Sequence, residues 1–296
     1  MPLDARGAPS ARPGRRRFSL AWMGLLPFLL FALLFLIIPT SYLVVGSFRN
    51  RAGDFTLQNY ADLTQELTLN AYLNSIEISL VTAVLGGIIG FLMAYAVIRG
   101  GLPGFLRGGL LTFSGVASNF AGVPLAFAFV FTIGRVGFLT VFLKDVMGID
   151  IYGNGFTLYS KLGLEIVYLY FQFPLMVLIM APAIDGLRQD WREASENMGA
   201  STFQFWRYVA LPILTPAILG TMILLFGNSF GAQATAYALT GGQLNLVTLL
   251  IGRQMTSDVL HNPNLGFALA MGMVAIMGVT ILVYLWLQRR AERWHR

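Results

Sequence analysis

The sequence predicts an all-α fold: a polytopic membrane protein with six transmembrane helices and both termini cytoplasmic. Three observations predict it. Hydrophobic residues make up 56% of the 296 residues and charged residues 11%, against roughly 25% charged in soluble domains. Six apolar segments reach the ~20 residues that a bilayer core requires of a helix. Threading those segments through a membrane puts fourteen of the twenty Lys and Arg residues on one face, among them Arg15, Arg16, Arg17, Arg188, Arg192 and Arg289. Arg49, Arg51, Arg135, Lys144, Lys161 and Arg253 fall on the other, a clear positive-inside bias. The net charge of +6 is therefore explained by membrane topology and not by nucleic acid, since the arginines flank apolar runs. The chain has no cysteine, which excludes disulfides and thiolate metal sites.

Residues 1–19 read as an Arg-rich cytoplasmic tail, and residues 20–288 as the membrane domain. Arg15-Arg16-Arg17-Phe18 superficially resembles a twin-arginine export signal, but the apolar run behind it is too long for a cleaved leader and begins an uncleaved first span. That span covers about Met23–Phe48. The second, about Tyr72–Ile98, contains Gly86, Gly87, Gly90 and Ala94, small residues that admit a neighbouring helix closely. The third, about Phe105–Ile133, is the least regular, and Gly115, Asn119, Gly122 and Pro124 predict a break in it. The fourth is about Leu162–Ala183. The fifth is about Leu211–Phe230 with a ragged continuation to Leu239, and the sixth about Leu265–Leu287, before a short tail over 289–296.

Between the fourth and fifth spans lies a polar element, residues 187–212, rich in Arg, Asp and Glu. It reads as two short helices. The first, about Gln189–Met198, is ended by Gly199 at a position that favours a left-handed residue. Ser201 or Thr202 caps a second helix, Phe203–Ala210, which Pro212 joins to the next apolar run.

The order of residues in this element, Glu193-Ala194-Ser195, three residues, Gly199, nine residues, Val209-Ala210-Leu211-Pro212, resembles the EAA loop of ABC-transporter permeases of the type I importer kind. Ser195 stands for the second Ala of the family pattern and Val209 for its Ile. The resemblance implies a cytoplasmic coupling helix docked on an ATPase subunit, with Arg192, Glu193, Ala194, Ser195, Gly199, Ala200, Leu211 and Pro212 as the coupling residues. It further implies an ABC ATPase dimer, a second permease subunit (homologous or identical), an extracytoplasmic solute-binding protein and a location in the bacterial inner membrane. Asp54-Phe55-Thr56-Leu57-Gln58-Asn59-Tyr60 is similar to a stretch that such permeases carry after the first span. In texture the chain looks closest to the polyamine, iron, thiamine and phosphonate branch, which implies a small, polyamine-like solute, with phosphonate, thiamine or iron as alternatives.

Polar residues inside the spans offer two readings each. Asn119, Asn228, Ser229 and Gln233 either line a translocation path or join helices by hydrogen bonds. Glu77 and Glu165, near the outer ends of the second and fourth spans, either reach water or draw cations into a pathway. Asp185, at the inner end of the fourth span, is placed to cap the helix or to pair with Arg188. No Gly-x-x-x-x-Gly-Lys-Ser/Thr loop is present, so the chain does not itself bind or hydrolyse ATP. His261 and His295 are too separated in sequence to suggest a metal or catalytic set. The expectation is a non-catalytic subunit with no cofactor and no metal of its own. A self-contained secondary transporter is the more distant alternative, disfavoured because its acids lie near the interfaces and not as a pair at mid-membrane.

Overall fold

A computed structural model of the chain describes residues 24–153, 155–256 and 261–292. The N-terminal tail and Arg293 to Arg296 lie outside the described residues. Among those described the protein is helical, and six stretches are long and apolar enough to cross a membrane: Leu26–Ser47, Glu66–Arg99, Gly122–Met147, Lys161–Asp185, Thr202–Phe230 and Pro263–Arg289. Two units separate at Val45 and Gly46. The first contains most of helix α1 (Leu26–Ser47), whose side chains along its apolar stretch are exposed. One π-helical turn, Leu33–Ile37, interrupts α1 immediately before Pro39. A proline lacks the N–H for the i−4 bond and its ring crowds that carbonyl, so a widened turn ahead of it accommodates both.

The second unit holds the remaining elements. A short helix α2 (Gln58–Asp62) follows a turn in which Asn59 donates to the carbonyls of Ser47 and Arg49 at 2.9 and 2.8 Å. Helix α3 (Glu66–Arg99) has 34 residues, about 51 Å at the α-helical rise, and so projects beyond a bilayer core of about 30 Å. It is the central strut. Helix α7 (Lys161–Asp185) lies along it, and the small residues of α3 are the reason. At Gly90 an added Cβ would meet the Phe173 carbonyl oxygen and the Met176 Cβ at 2.5 Å, and at Gly86 it would meet the Gln172 Cβ at 2.7 Å. The backbones approach too closely there for any side chain. Helix α9 (Thr202–Phe230) packs on both and α12 (Pro263–Glu292) on α9. The main core gathers Met176, Met180, Ile184, Leu214, Leu225, Phe226 and Leu269.

The third apolar segment differs from the expected Phe105–Ile133. It is divided into α4 (Gly104–Asn119) and α5 (Gly122–Ile133), and the membrane-length stretch runs on through a turn into α6 (Phe138–Met147). The break predicted there is present. Gly122 has φ +75° and follows an extended Ala121, a backbone that continues neither helix. Beyond α9 the expected ragged continuation and outer loop are instead two ordered helices, α10 (Gln233–Thr240) and α11 (Val247–Thr256). The final helix persists to Glu292, three residues past the start of the expected tail.

Candidate functional site

The polar element between α7 and α9 folds as its residues dictate. Helix α8 (Gln189–Asn197) ends at Met198, and Gly199 follows with φ +79°, the left-handed backbone that glycine adopts without steric cost. Ser201 caps the next helix with a reciprocal capping box: its hydroxyl accepts from Gln204 N–H at 3.3 Å while the Gln204 side chain accepts from Ser201 N–H at 2.7 Å. The second helix does not stop near Ala210. Contrary to the sequence expectation, Thr202–Phe230 is continuous, with a π-helical turn at Trp206–Ala210 just before Pro212. Leu211 N–H reaches back to the Trp206 carbonyl, the same arrangement that precedes Pro39 in α1. Leu211 and Pro212 are thus a rigid junction between the polar element and a membrane helix.

The element is anchored on one side and open on the other. Phe205 and Ser195 are buried, at 7% and 4% exposure, and the Ser195 hydroxyl donates to the Arg192 carbonyl at 2.9 Å. Trp206 meets Tyr95 of α3 edge-on, ring centres 4.9 Å apart. The guanidinium of Arg99, the last residue of α3, donates to the carbonyls of Ile184 and Leu187 at 3.2 and 2.9 Å. It thereby adds a charged donor to backbone acceptors at and just past the C-terminal end of α7, where a cation also meets the negative end of the helix dipole. Glu193, Ala194 and Gly199 are exposed. Gln189 donates to Glu193 and Arg192 pairs with Glu196 at 2.8 Å. The Glu196 carboxylate pushes the Arg192 pKa further up. A cleft of about 400 Å³ between Tyr95, Arg99, Arg192, Glu196 and Trp206 separates α8 from the strut.

Asp185 pairs with Arg107 of α4 at 3.0 Å, and Arg188 pairs with Asp190 at 2.6 Å, so the expected Asp185–Arg188 pair is not formed. The spacing of three residues would suit a continuous helix, but the helix ends at Asp185 and the chain turns at Gly186. Arg107, eighty residues before the element in sequence, supplies the partner instead.

The polar residues within the spans separate into two groups. Ser229 is buried and its hydroxyl lies 2.9 Å from that of Thr82, a bond between α9 and α3. This is helix joining. Glu77 forms an ion pair with Lys161, linking α3 to the start of α7. Asn119 donates to its own helix at the Gly115 carbonyl, 2.9 Å, and Asn228 is exposed. Gln233 is exposed at the start of α10, where it lines a cleft with Tyr237, Gly252 and Arg253. The two helix breaks meet. Gly122 N–H donates to Thr235 Oγ1 at 2.7 Å, and the Tyr168 hydroxyl donates to the Ala232 carbonyl at 2.6 Å. Backbone interrupted at membrane depth is tolerated only where protein or a water-filled cavity satisfies it, and these bonds do so.

Sequence reasoning missed two residues. In sequence Arg99 reads only as one more positive-inside charge, although its place at the end of a long apolar run points to a helix terminus. Gln172, fully buried in α7, donates to the Leu225 carbonyl at 2.9 Å. A single glutamine amid Phe171, Phe173 and Pro174 was its only signal. Among the described residues no group of His, Asp and Glu could hold a metal ion.

The family described as "Binding-protein-dependent transport system inner membrane component" matches residues 12–296. The sulfate transport system permease protein CysT of Salmonella typhimurium is 28% identical over 72% of this chain and 72% of its own. The spermidine/putrescine transport system permease protein PotB of Haemophilus influenzae is 26% identical over 84% of this chain and 87% of its own. In fold, a chain of a bacterial ABC transporter that imports the acidic polysaccharide alginate superposes with a TM-score of 0.73 at 17% identity, over 92% of this chain and 95% of that one.

Proposed function

The chain belongs to that family of binding-protein-dependent transport components and is a permease subunit of an ABC importer, and on this premise we propose that residues 187–212 are its coupling element toward an ATPase. The observation that carries the reading is the exposed loop face of α8 and Gly199, held from behind by Phe205, Ser195 and the Arg99 clamp. Ala194 and Gly199 are small enough for close docking. Glu193 and Arg192 present charge to a groove on the partner, and Leu211 and Pro212 carry displacement into α9 with no flexible joint between. ATP is bound and hydrolysed by the partner dimer, and this chain contributes half of the membrane path together with a second permease subunit. Solute arrives from an extracytoplasmic binding protein. The arginine distribution supports a cytoplasmic side for both termini and the coupling element, and on this reading the chain lies in a bacterial inner membrane. Docking free energy must differ between the closed and open ATPase dimers for any motion to be transmitted.

The relatives' names include solutes of opposite charge, sulfate and spermidine or putrescine, so similarity alone does not choose between an anion and the polyamine-like, phosphonate, thiamine or iron solutes expected from sequence. The test of the coupling role is uptake by membranes that carry the whole transporter. Gly199→Pro and Glu193→Arg insert normally and still copurify as folded protein, but uptake falls at least tenfold. Wild-type uptake from both variants sinks the assignment.

A further inference from the structure

We propose that the cleft between α10 and α11 holds the transported solute in the membrane and that this solute is a small anion. The inference rests on the permease reading given above. Its first support is depth. Counting along α3, Thr82 lies 17 residues from Arg99, about 25 Å at the α-helical rise. The Thr82–Ser229 bond therefore places the end of α9, and the start of α10 just beyond it, beside the middle of the strut and in the outer part of a bilayer core about 30 Å thick. The connection between α10 and α11 is held at the outer end of the same strut, where Asn74 donates to the Asn245 carbonyl at 3.0 Å and Val247 N–H to Ser75 Oγ at 3.0 Å. The two short helices thus run alongside the outer half of the strut, from the outer part of the core to its outer boundary.

The second support is polarity. The cleft has a volume of about 580 Å³ and is lined by Gln233, Tyr237, Gly252, Arg253 and Thr256, within the ~300–1,000 Å³ range of small-molecule sites. A guanidinium and an amide placed together between these helices are costly to leave against hydrocarbon, so the cleft they line is a wet one. Arg253 gives one bond to the Gly242 carbonyl at 3.3 Å, leaving most of its five donors for another acceptor. Gly252 fits the same purpose: a Cβ there would stand 2.6 Å from the Gln233 amide nitrogen, so its absence lets that donor lie beside Arg253.

The third support is sign. Arg253 is the charged side chain among the described residues lining the cleft, and Gln233 opens α10, whose N-terminal end is the positive end of its dipole. Polarity of this kind attracts an anion and repels a polyamine. Broken membrane helices place their N-termini toward anionic groups for the same reason.

The test uses the whole transporter, extracted with its copurifying subunits into lipid nanodiscs. Radiolabelled sulfate, phosphate and methylphosphonate are each titrated, with spermidine as the cationic control, onto wild type, Arg253→Gln and Arg253→Lys. At least one anion binds tighter than spermidine, Arg253→Gln weakens it tenfold or more, and Arg253→Lys retains most of it. Spermidine binding best, no anion binding, or anion binding unchanged in Arg253→Gln overturns the proposal. Size-exclusion profiles report folding of the variants. An ATPase subunit present in the same preparations keeps the permease reading intact whichever way the titration falls, and its absence overturns that reading and this one together.

Discussion

Arg99 shows what a single side chain does at the boundary between the strut and the proposed coupling element. Its two bonds, to Ile184 and Leu187, tie the end of the strut to the point where α7 hands over to α8. A charged hydrogen bond contributes about 1.5–3 kcal/mol when shielded, and solvent access at this side chain reduces that toward 1 kcal/mol. Arg99→Met is therefore expected to leave the chain folded, with a small fall in thermal midpoint, yet to cut uptake severalfold, because the lost bonds position the coupling element. Arg99→Lys is expected to fall between, since a single ammonium does not span two carbonyls as a guanidinium fork does. Equal uptake in Arg99→Met and wild type would show that the clamp is merely structural. At Gly199 the cost is conformational: Gly199→Ala must hold φ near +79°, a strain of about 1–2 kcal/mol for an L-residue. A lower thermal midpoint with reduced uptake is the expected reading. On the opposite loop, Lys144 pairs with Asp150 at 3.1 Å and holds the Asp150 carboxyl below the usual carboxylate range. The sign follows. The contribution is present above the ordinary carboxylate pKa and fades as pH falls through the lowered one, so Asp150→Asn should flatten any acid-side loss of stability between those two values in a pH titration of the thermal midpoint.

At the scale of elements, packing of α3 on α7 depends on missing side chains. Gly90→Ala would place a methyl 2.5 Å from the Phe173 carbonyl, which cannot rotate away as a flexible side chain can. The two helices must then separate, at about 1–3 kcal/mol, and the variant is expected to unfold at lower temperature in detergent. Gly108→Ala, where the space is open, should have no such effect and serves as the control. The small residues of α3, the break before Gly122, the left-handed Gly199 and the Ser201 cap were all legible, because each expresses a local backbone rule. The continuity of α9 through Pro212 was not. A proline normally reads as an end, and the π turn that absorbs it involves backbone bonding that no residue pattern at Trp206–Ala210 announces. Likewise α10 and α11 read as a ragged loop because their eight and ten residues are too short for a span, while their order comes from distant partners: Gly122, Asn74 and Ser75. Asp185 found Arg107 for the same reason. Tertiary pairing lies beyond sequence spacing.

Across the whole molecule, α3 links the regions assigned to coupling and to solute. Arg99 holds the coupling element at one end, Thr82 bonds the end of α9 midway, and Ser75 and Asn74 hold the start of α11 near the other. Displacement of α8 therefore reaches the α10–α11 cleft by two routes, the strut and, past the Gly199 turn, the unbroken α9, which ends just before α10 begins. A drive at one end requires a firm grip there. The proposed coupling element exposes Met198, Phe203 and Tyr208 at 81%, 71% and 68%, apolar groups in the same stretch of chain as charged Glu193 and Arg192. Exposed apolar surface of this kind marks a protein contact, and central apolar anchors contribute about 2 kcal/mol or more each in such contacts. The pair Met198→Asp and Phe203→Asp, neither of which removes a core contact, is expected to reduce ATPase copurification at least tenfold while insertion and monodispersity stay unchanged. Pull-down from gently solubilised membranes, scored against the double variant Leu282→Asn and Val283→Asn on the exposed face of α12, measures it. Undiminished recovery of the ATPase would mean that the grip is electrostatic, through Arg192 and Glu193, and that the apolar groups face something else.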